Sequence, residues 1–326
     1  MVTIADIAKM AGVAKSTVSR YLNGGSVSQA TKQKIEKIIE KTDYVPNSFA
    51  QSLKARMTNL IGVVVPRLDS YTASRTMIGI DDQLRELNLK MIVANSSLSV
   101  EREIENIYSL AKQKVAGLIL LATEITDAHL EAFKKINIPI LVVGQKHKDI
   151  HCLIHNDEQG AYELGKYVVS KGHKKIAFLG VTEKDIAVGF KRKEGFKKAI
   201  MEGWNSSIQY YETTFNSDDA REMAKEIIDN FNPSIIVCAT DNIALGVMKA
   251  AHQNGLRIPN DLSITGFGGY SVSEYTNPGL TTVKFNYKLA GQIAARKIND
   301  LICKKDIERC TVLDFEILKR ESVDKI

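Results

Sequence analysis

Cysteine is scarce in this 326-residue chain: Cys152, Cys238, Cys303 and Cys310 are its only four. None of them forms a C-x-x-C pair, so neither zinc-ligand spacing nor a disulfide framework is written in the sequence. Long apolar runs are also missing, and nothing approaches the roughly 20 residues that a membrane-spanning helix needs. Met1–Gly12 reads as an amphipathic helix without a signal-peptide cleavage signature. A membrane protein and an exported solute-binding protein are therefore not expected, and the chain reads as cytoplasmic. Enzyme signatures are absent in the same way. The polar run His155-Asn156-Asp157 has no strand-elbow Ser or Cys nucleophile beside it. The segment from Gly160 to Lys166 imitates a phosphate loop, but Tyr167 follows where a magnesium-binding hydroxyl belongs, and the stretch reads as mid-helix. No enzyme activity, metal or cofactor is expected.

Acidic residues are few where basic ones are dense. The first sixty residues hold nine Lys and Arg against four acids, which accounts for five of the six surplus positive charges of the whole chain. Such a local excess attracts polyphosphate, and the release of counterions makes the affinity salt-dependent. A solvated basic face would show the same charge, so the pattern beneath it matters more.

In that segment Ile4, Ile7, Ala8 and Ala11 fall at i, i+3, i+4 and i+7, one side of a helix. Thr3 is placed to cap its start and Gly12 to end it. A second helix is expected from about Lys15 to Asn23, with Val18, Tyr21 and Leu22 inward. Its outward face is Lys15, Ser16, Ser19, Arg20 and Asn23, the short polar set that a helix lying in a major groove presents to base edges. A third helix, roughly Gln29 to Lys41, supplies Ile35, Ile38 and Ile39 to a small core.

Thr3-Ile4-Ala5-Asp6-Ile7-Ala8, Ala11-Gly12-Val13, Thr17-Val18-Ser19-Arg20 and Tyr44-Val45-Pro46-Asn47 resemble the N-terminal signature of the lac repressor (LacI/GalR) family. One departure is Ala14, where that family usually has Ser. The resemblance implies an operator-binding head over residues 1–46, with Thr3, Thr17, Tyr44 and Asn47 joining the polar face of the second helix. It also implies a hinge over residues 47–58 that folds on DNA beside its twin. There Leu53 would wedge into the minor groove, with Ala50 and Lys54 near it. Read as a linker residue instead, Leu53 would simply pack on the body.

From Leu60 on, short apolar runs alternate with amphipathic stretches. Strands are expected at 60–65, 91–94, 117–121, 140–143, 176–179, 235–238 and 263–266, and helices include 78–87, 103–113, 161–171 and 242–254. This is the pattern of parallel sheets covered on both faces. About 265 residues exceed what one core usually holds, so two α/β lobes are expected, with a ligand cleft beyond the carboxyl ends of the strands. The family resemblance continues through Ile61-Gly62-Val63-Val64-Val65-Pro66, Gly172-His173-Lys174-Lys175-Ile176-Ala177, Arg192 before Gly195-Phe196, and Leu280-Thr281-Thr282-Val283. It implies a periplasmic-binding-protein-like body over residues 59–326, with the chain crossing between lobes near Asn156-Asp157 and Lys284–Tyr287. The sequence after Arg320 offers no leucine heptad, so a homodimer is expected rather than a tetramer.

The cleft candidates are Asp69, Ser70 and Tyr71 after the first strand, Gln145 after the fourth, Arg192, Asp241, and Phe285 with Tyr287 at a crossover. Asp241 reads equally well as a helix cap, and Phe285 and Tyr287 as core. Where the family often carries acids, this chain has Gly144 and Gly268-Gly269. With Arg67, Arg75, Lys146, His147 and Arg192 nearby, a phosphorylated or bulkier sugar stays open beside a neutral one. Ser19-Arg20-Tyr21-Leu22-Asn23, Gly144-Gln145-Lys146-His147 and Gly266-Phe267-Gly268-Gly269-Tyr270 are most similar to the sucrose-operon repressors of Gram-positive bacteria within this family. The implied protein is a repressor released from a pseudo-palindromic operator by a sugar or sugar phosphate. A corepressor or a phosphoprotein that tightens DNA binding is the alternative.

Overall fold

The computed structural model describes residues 2–22, 25–42, 44, 58–202 and 207–326, and the chain separates into two units, Met1–Thr58 and Asn59–Ile326. Within the first unit, α1 (Ile4–Ala11) begins at a capping box. The Thr3 hydroxyl accepts the Asp6 amide, and the Asp6 carboxylate accepts the Thr3 amide at 2.9 Å. Gly12 closes the helix at φ 65°, a left-handed conformation that costs glycine nothing. Helices α2 (Lys15–Leu22) and α3 (Gln29–Thr42) follow. Ile7, Ala8, Ala11, Val18 and Ile35 form the buried core of the head. The Tyr21 hydroxyl donates to Glu36 at 2.9 Å and ties α2 to α3. Asn23, Asn47, Ala50, Leu53 and Lys54, named above for DNA contact, lie outside the described residues.

The second unit is built on two six-stranded sheets, as the alternation of short apolar runs and helices leads one to expect. The first sheet holds β1 (Leu60–Val65), β2 (Lys90–Asn95), β3 (Gly117–Leu121), β4 (Ile140–Val143), β5 (His151–His155) and β11 (Cys310–Leu313), in the order β11-β5-β4-β3-β1-β2. Its pairings are all parallel. The second sheet holds β6 (Lys175–Gly180), β7 (Ser207–Glu212), β8 (Ile235–Cys238), β9 (Ser263–Gly268), β10 (Thr281–Phe285) and β12 (Phe315–Leu318), in the order β12-β10-β9-β8-β6-β7. Here β12 runs antiparallel to β10 and so departs from the parallel pattern.

Helices α4 (Tyr71–Glu86), α5 (Val100–Lys112), α6 (Asp127–Lys135) and α11 (Tyr287–Ile302) belong to the first lobe. Helices α7 (Asp157–Ser170), α8 (Arg192–Glu202), α9 (Ser217–Phe231) and α10 (Asp241–Gln253) belong to the second. α4 begins seven residues before the expected 78, because Ser70 caps it by accepting the Ala73 amide at 3.4 Å. That cap places Ser70 and the first turn of α4 beside the cleft.

The chain passes between lobes at Asn156, at Asn286, and a third time at Asp314, between β11 and β12. The sequence reading did not contain this third crossing. It is one residue between two four-residue edge strands, and it leaves no mark on composition. Strands β5, β7, β10, β11 and β12 are likewise not among the expected ones, being short or edge strands in which apolar and polar residues mix.

Candidate functional site

On the head, Lys15, Ser16 and Arg20 are exposed along α2, while Thr17 and Ser19 are half-buried. The outward polar face is thus physically present over the described part of the helix. Lys9, Lys32, Lys34, Lys37 and Lys41 are exposed as well and keep the unit basic. Thr3 is exposed, but its hydroxyl is engaged in the cap, donating to Asp6 at 2.7 Å. Tyr44 packs half-buried against the head core, so its ring supports the fold of the unit.

Between the two lobes of the second unit lies a cavity of about 150 Å³. Its walls come largely from the carboxyl ends of strands. Pro66 and Arg67 follow β1, Ala122 and Thr123 follow β3, Gly144 follows β4, His155 ends β5, and Thr240 follows β8. This is where open parallel sheets leave a crevice, because the connecting segments diverge there.

Arg192, the first residue of α8, is the most heavily engaged group on the wall. Its Nε and Nη2 both donate to one oxygen of Asp157, each at 2.8 Å, and Nη1 donates to the Ala239 carbonyl at 2.7 Å. Its guanidinium also lies 5.2 Å and 5.1 Å from the ring centres of Phe267 and Phe285. Burial works against its charge, and the Asp157 carboxylate outweighs that and holds its pKa above the ordinary arginine value.

Nearby, burial pulls the His155 imidazole down to about 4, so the ring is neutral near pH 7. Burial likewise raises Asp185, whose carboxylate accepts the Val188 amide at 2.9 Å at the start of a π-helical turn, Ile186–Lys191. Two buried polar atoms here have no partner at hydrogen-bond geometry, His155 Nδ1 and Tyr287 Oη, on rings 5.0 Å apart. A buried polar atom left unpaired costs about 1–3 kcal/mol.

Of the cleft residues named from sequence, the structure brings Ser70, Arg192 and Tyr287 to the cavity wall. It does not bring the other five. Asp69 is exposed and sits 3.8 Å from Arg67 Nε. Gln145 is turned inward, donating to the Thr123 carbonyl at 2.7 Å. Phe285 is buried beneath Arg192. Asp241 is fully buried: it accepts the Tyr270 amide at 2.6 Å and the Thr282 hydroxyl, and burial raises its carboxyl to about 6. Nor is Asp241 the cap of α10, since the Thr240 hydroxyl accepts the Ile243 amide. Tyr71 reaches across to stack on Tyr270, with ring centres 4.1 Å apart.

His155, Asp157, Asp185, Phe215, Thr240 and Tyr270 line the cavity without having been named as ligand residues. The rule about strand ends could have found His155 and Thr240. No local signal marks Asp185 or Phe215. The basic cluster suggested from sequence also dissolves. Lys146 and His147 are not on the wall, and Arg75 stands over the Tyr71 ring at 5.9 Å. The charged groups that do line the cavity, Arg67 and Arg192 against Asp157 and Asp185, cancel.

Among the described residues no group of His, Cys, Asp and Glu could hold a metal ion. Among the described residues no helix is long and apolar enough to cross a membrane.

A basic helical head and a two-lobed α/β body with a cavity between its lobes define the ligand-responsive DNA-binding regulators as a class. Known proteins agree over both units. Residues 3–47 match the model for bacterial regulatory proteins of the lacI family, and residues 166–323 match that for a periplasmic binding protein-like domain. The chain is 43% identical over 317 residues to the sucrose operon repressor of Staphylococcus xylosus, covering 97% of this chain and 98% of that protein. It is 30% identical to the transcriptional repressor PurR of Vibrio atlanticus, with 99% of each covered. The structure of a lac repressor dimer bound to operator and an anti-inducer superposes with a TM-score of 0.92 at 26% identity, covering 99% of each chain. The protein belongs to the lacI family of bacterial regulatory proteins and is a DNA-binding transcriptional repressor.

Proposed function

We propose that the protein is a homodimeric repressor of a sugar-utilisation operon, a sucrose operon being the first candidate, and that an uncharged sugar bound between the lobes, sucrose or a single-ring sugar derived from it, releases it from a pseudo-palindromic operator. The observation that carries this reading is the character of the cavity. The formal charges on its wall cancel, its histidine is neutral, and hydroxyl residues Ser70, Thr123 and Thr240 join them on the wall. Such groups donate to and accept from hydroxyls. A phosphate would need cationic donors free to meet it; Arg192 is committed to Asp157, and Arg67 lies over the Phe215 ring with Asp69 at 3.8 Å. The 43% identity to a sucrose operon repressor supports a sugar as the ligand class. Lys15, Ser16, Thr17, Ser19 and Arg20 on α2 are proposed to read the operator, with Thr3 and Tyr44 supporting that face. Asn23, Asn47, Ala50, Leu53 and Lys54 belong to the same proposal on sequence grounds.

Fluorescence anisotropy on a palindromic operator at fixed salt tests the reading, with sucrose, fructose, glucose and their phosphates titrated in. Release by a neutral sugar at concentrations where its phosphate does nothing is the expected result. Tighter binding on addition of a small molecule would assign it as a corepressor and reject induction.

A further inference from the structure

We propose that Tyr270 is a gate that sets ligand length: stacked on Tyr71 of the opposite lobe, it closes the cavity over a single sugar ring. The inference deepens the sugar-effector reading and rests on it. It starts from the turn Gly268-Gly269-Tyr270, where the family resemblance leads one to expect acids. Gly268 has φ +134° and Gly269 φ +63°, conformations that side chains disfavour. A Cβ on Gly268 would sit 2.3 Å from the Tyr270 ring, so only glycine lets that ring fold back over the turn. Asp241 then fixes the loop from beneath, through the Tyr270 amide at 2.6 Å and the Thr282 hydroxyl.

Held this way, Tyr270 lines the cavity and meets Tyr71, the first residue of α4 in the other lobe. The rings stack at 4.1 Å and 26°, and the Tyr71 hydroxyl accepts the Ser271 amide at 3.1 Å. Two further contacts cross the cleft. The Arg67 guanidinium lies 4.8 Å from the Phe215 ring centre, and the Ile186 amide donates to the Thr123 carbonyl at 3.3 Å. The cavity beside these contacts, about 150 Å³, is of the size that holds one six-membered ring. A two-ring sugar has to break the Tyr71–Tyr270 stack to enter.

The test uses the full-length chain and the variants Tyr270→Ala, Tyr71→Ala and Tyr270→Phe. Isothermal titration with fructose, glucose and sucrose reads selectivity. Hydrogen exchange of the Ile186 amide, without ligand, reads closure at a site remote from the stack. The unmodified protein is expected to bind a single-ring sugar at least tenfold more tightly than sucrose. Both alanine variants should narrow or reverse that ratio and speed Ile186 exchange by about 3- to 10-fold, the range an aromatic pair supports. Tyr270→Phe keeps the stack and should behave as the parent. Unchanged selectivity and exchange in both alanine variants, or a parent that prefers sucrose, would overturn the gate. If no sugar binds any form while Ile186 exchange still rises in both alanine variants, the sugar reading fails and the closing stack stands.

Discussion

Arg192 and Asp157 meet inside the body with two donors on one carboxylate oxygen, each at 2.8 Å, although 35 positions separate them. Asp157 opens α7 just after the first crossing, and Arg192 opens α8. The pair therefore clamps two helix starts in the second lobe at the wall of the cavity.

Arg192→Ala removes one partner of a buried pair and leaves the Asp157 charge uncompensated. Loss of about 3–5 kcal/mol of stability is expected, together with loss of any effector response. Urea melts of the variant beside the parent measure the first, and operator release measures the second. A variant as stable as the parent would show that water readily replaces the guanidinium.

Asp241 and His155 should push stability in opposite directions as pH changes. The Asp241 carboxyl is raised to about 6 by burial, so the folded form holds a proton that the unfolded chain has lost. Its contribution is present at low pH and fades as pH rises from about 4 to about 6. His155 is lowered to about 4 by burial, so below about 6.5 the unfolded chain binds a proton that the folded form refuses. Its contribution is present at neutral pH and fades as pH falls towards 4. Each effect is on the order of 3 kcal/mol and the two windows overlap. Stability measured against pH in Asp241→Asn and His155→Phe should expose the two slopes separately. Parallel curves for parent and variants would rule out both.

Helices α4 and α11 cross so closely that Gly79 and Gly291 are required there. A Cβ on Gly79 would fall 2.0 Å from the Lys288 carbonyl, and one on Gly291 would fall 2.0 Å from the Thr76 carbonyl. Neither obstacle is a flexible side chain. Gly79→Ala is expected to cost about 1–3 kcal/mol, read by thermal or urea unfolding. Because α4 carries Ser70 and Thr76 to the cavity wall, weaker ligand binding should accompany the loss.

Arg20 is exposed on α2 beside Ser16 and Ser19. Its replacement by alanine should cost roughly 1–3 kcal/mol on the operator and relax discrimination at one base pair. Anisotropy against operator and random duplexes at two salt concentrations separates base reading from phosphate contact. An equal loss on both duplexes would assign Arg20 to the phosphates.

What the sequence determined by itself was local or periodic. The capping box at Thr3 and Asp6, the Gly12 stop and the apolar spacing of the head are decided within a few residues, because helix formation is a short-range problem. The runs at Leu60–Val65 and Gly117–Leu121 are buried on both sides and so are written as unbroken apolar residues. What only the tertiary structure decided is which way a side chain faces once distant segments meet. Asp241 reads as a cap or a ligand group until Thr282 and the Tyr270 amide arrive and enclose it. Tyr71 and Tyr270 are 199 positions apart, and nothing near either one announces the other. The charge balance of the cavity is likewise a sum over strand ends from two sheets. Composition could suggest a basic pocket; the folding of Lys146 and His147 away from the wall, and the pairing of Arg192 with Asp157, made it neutral.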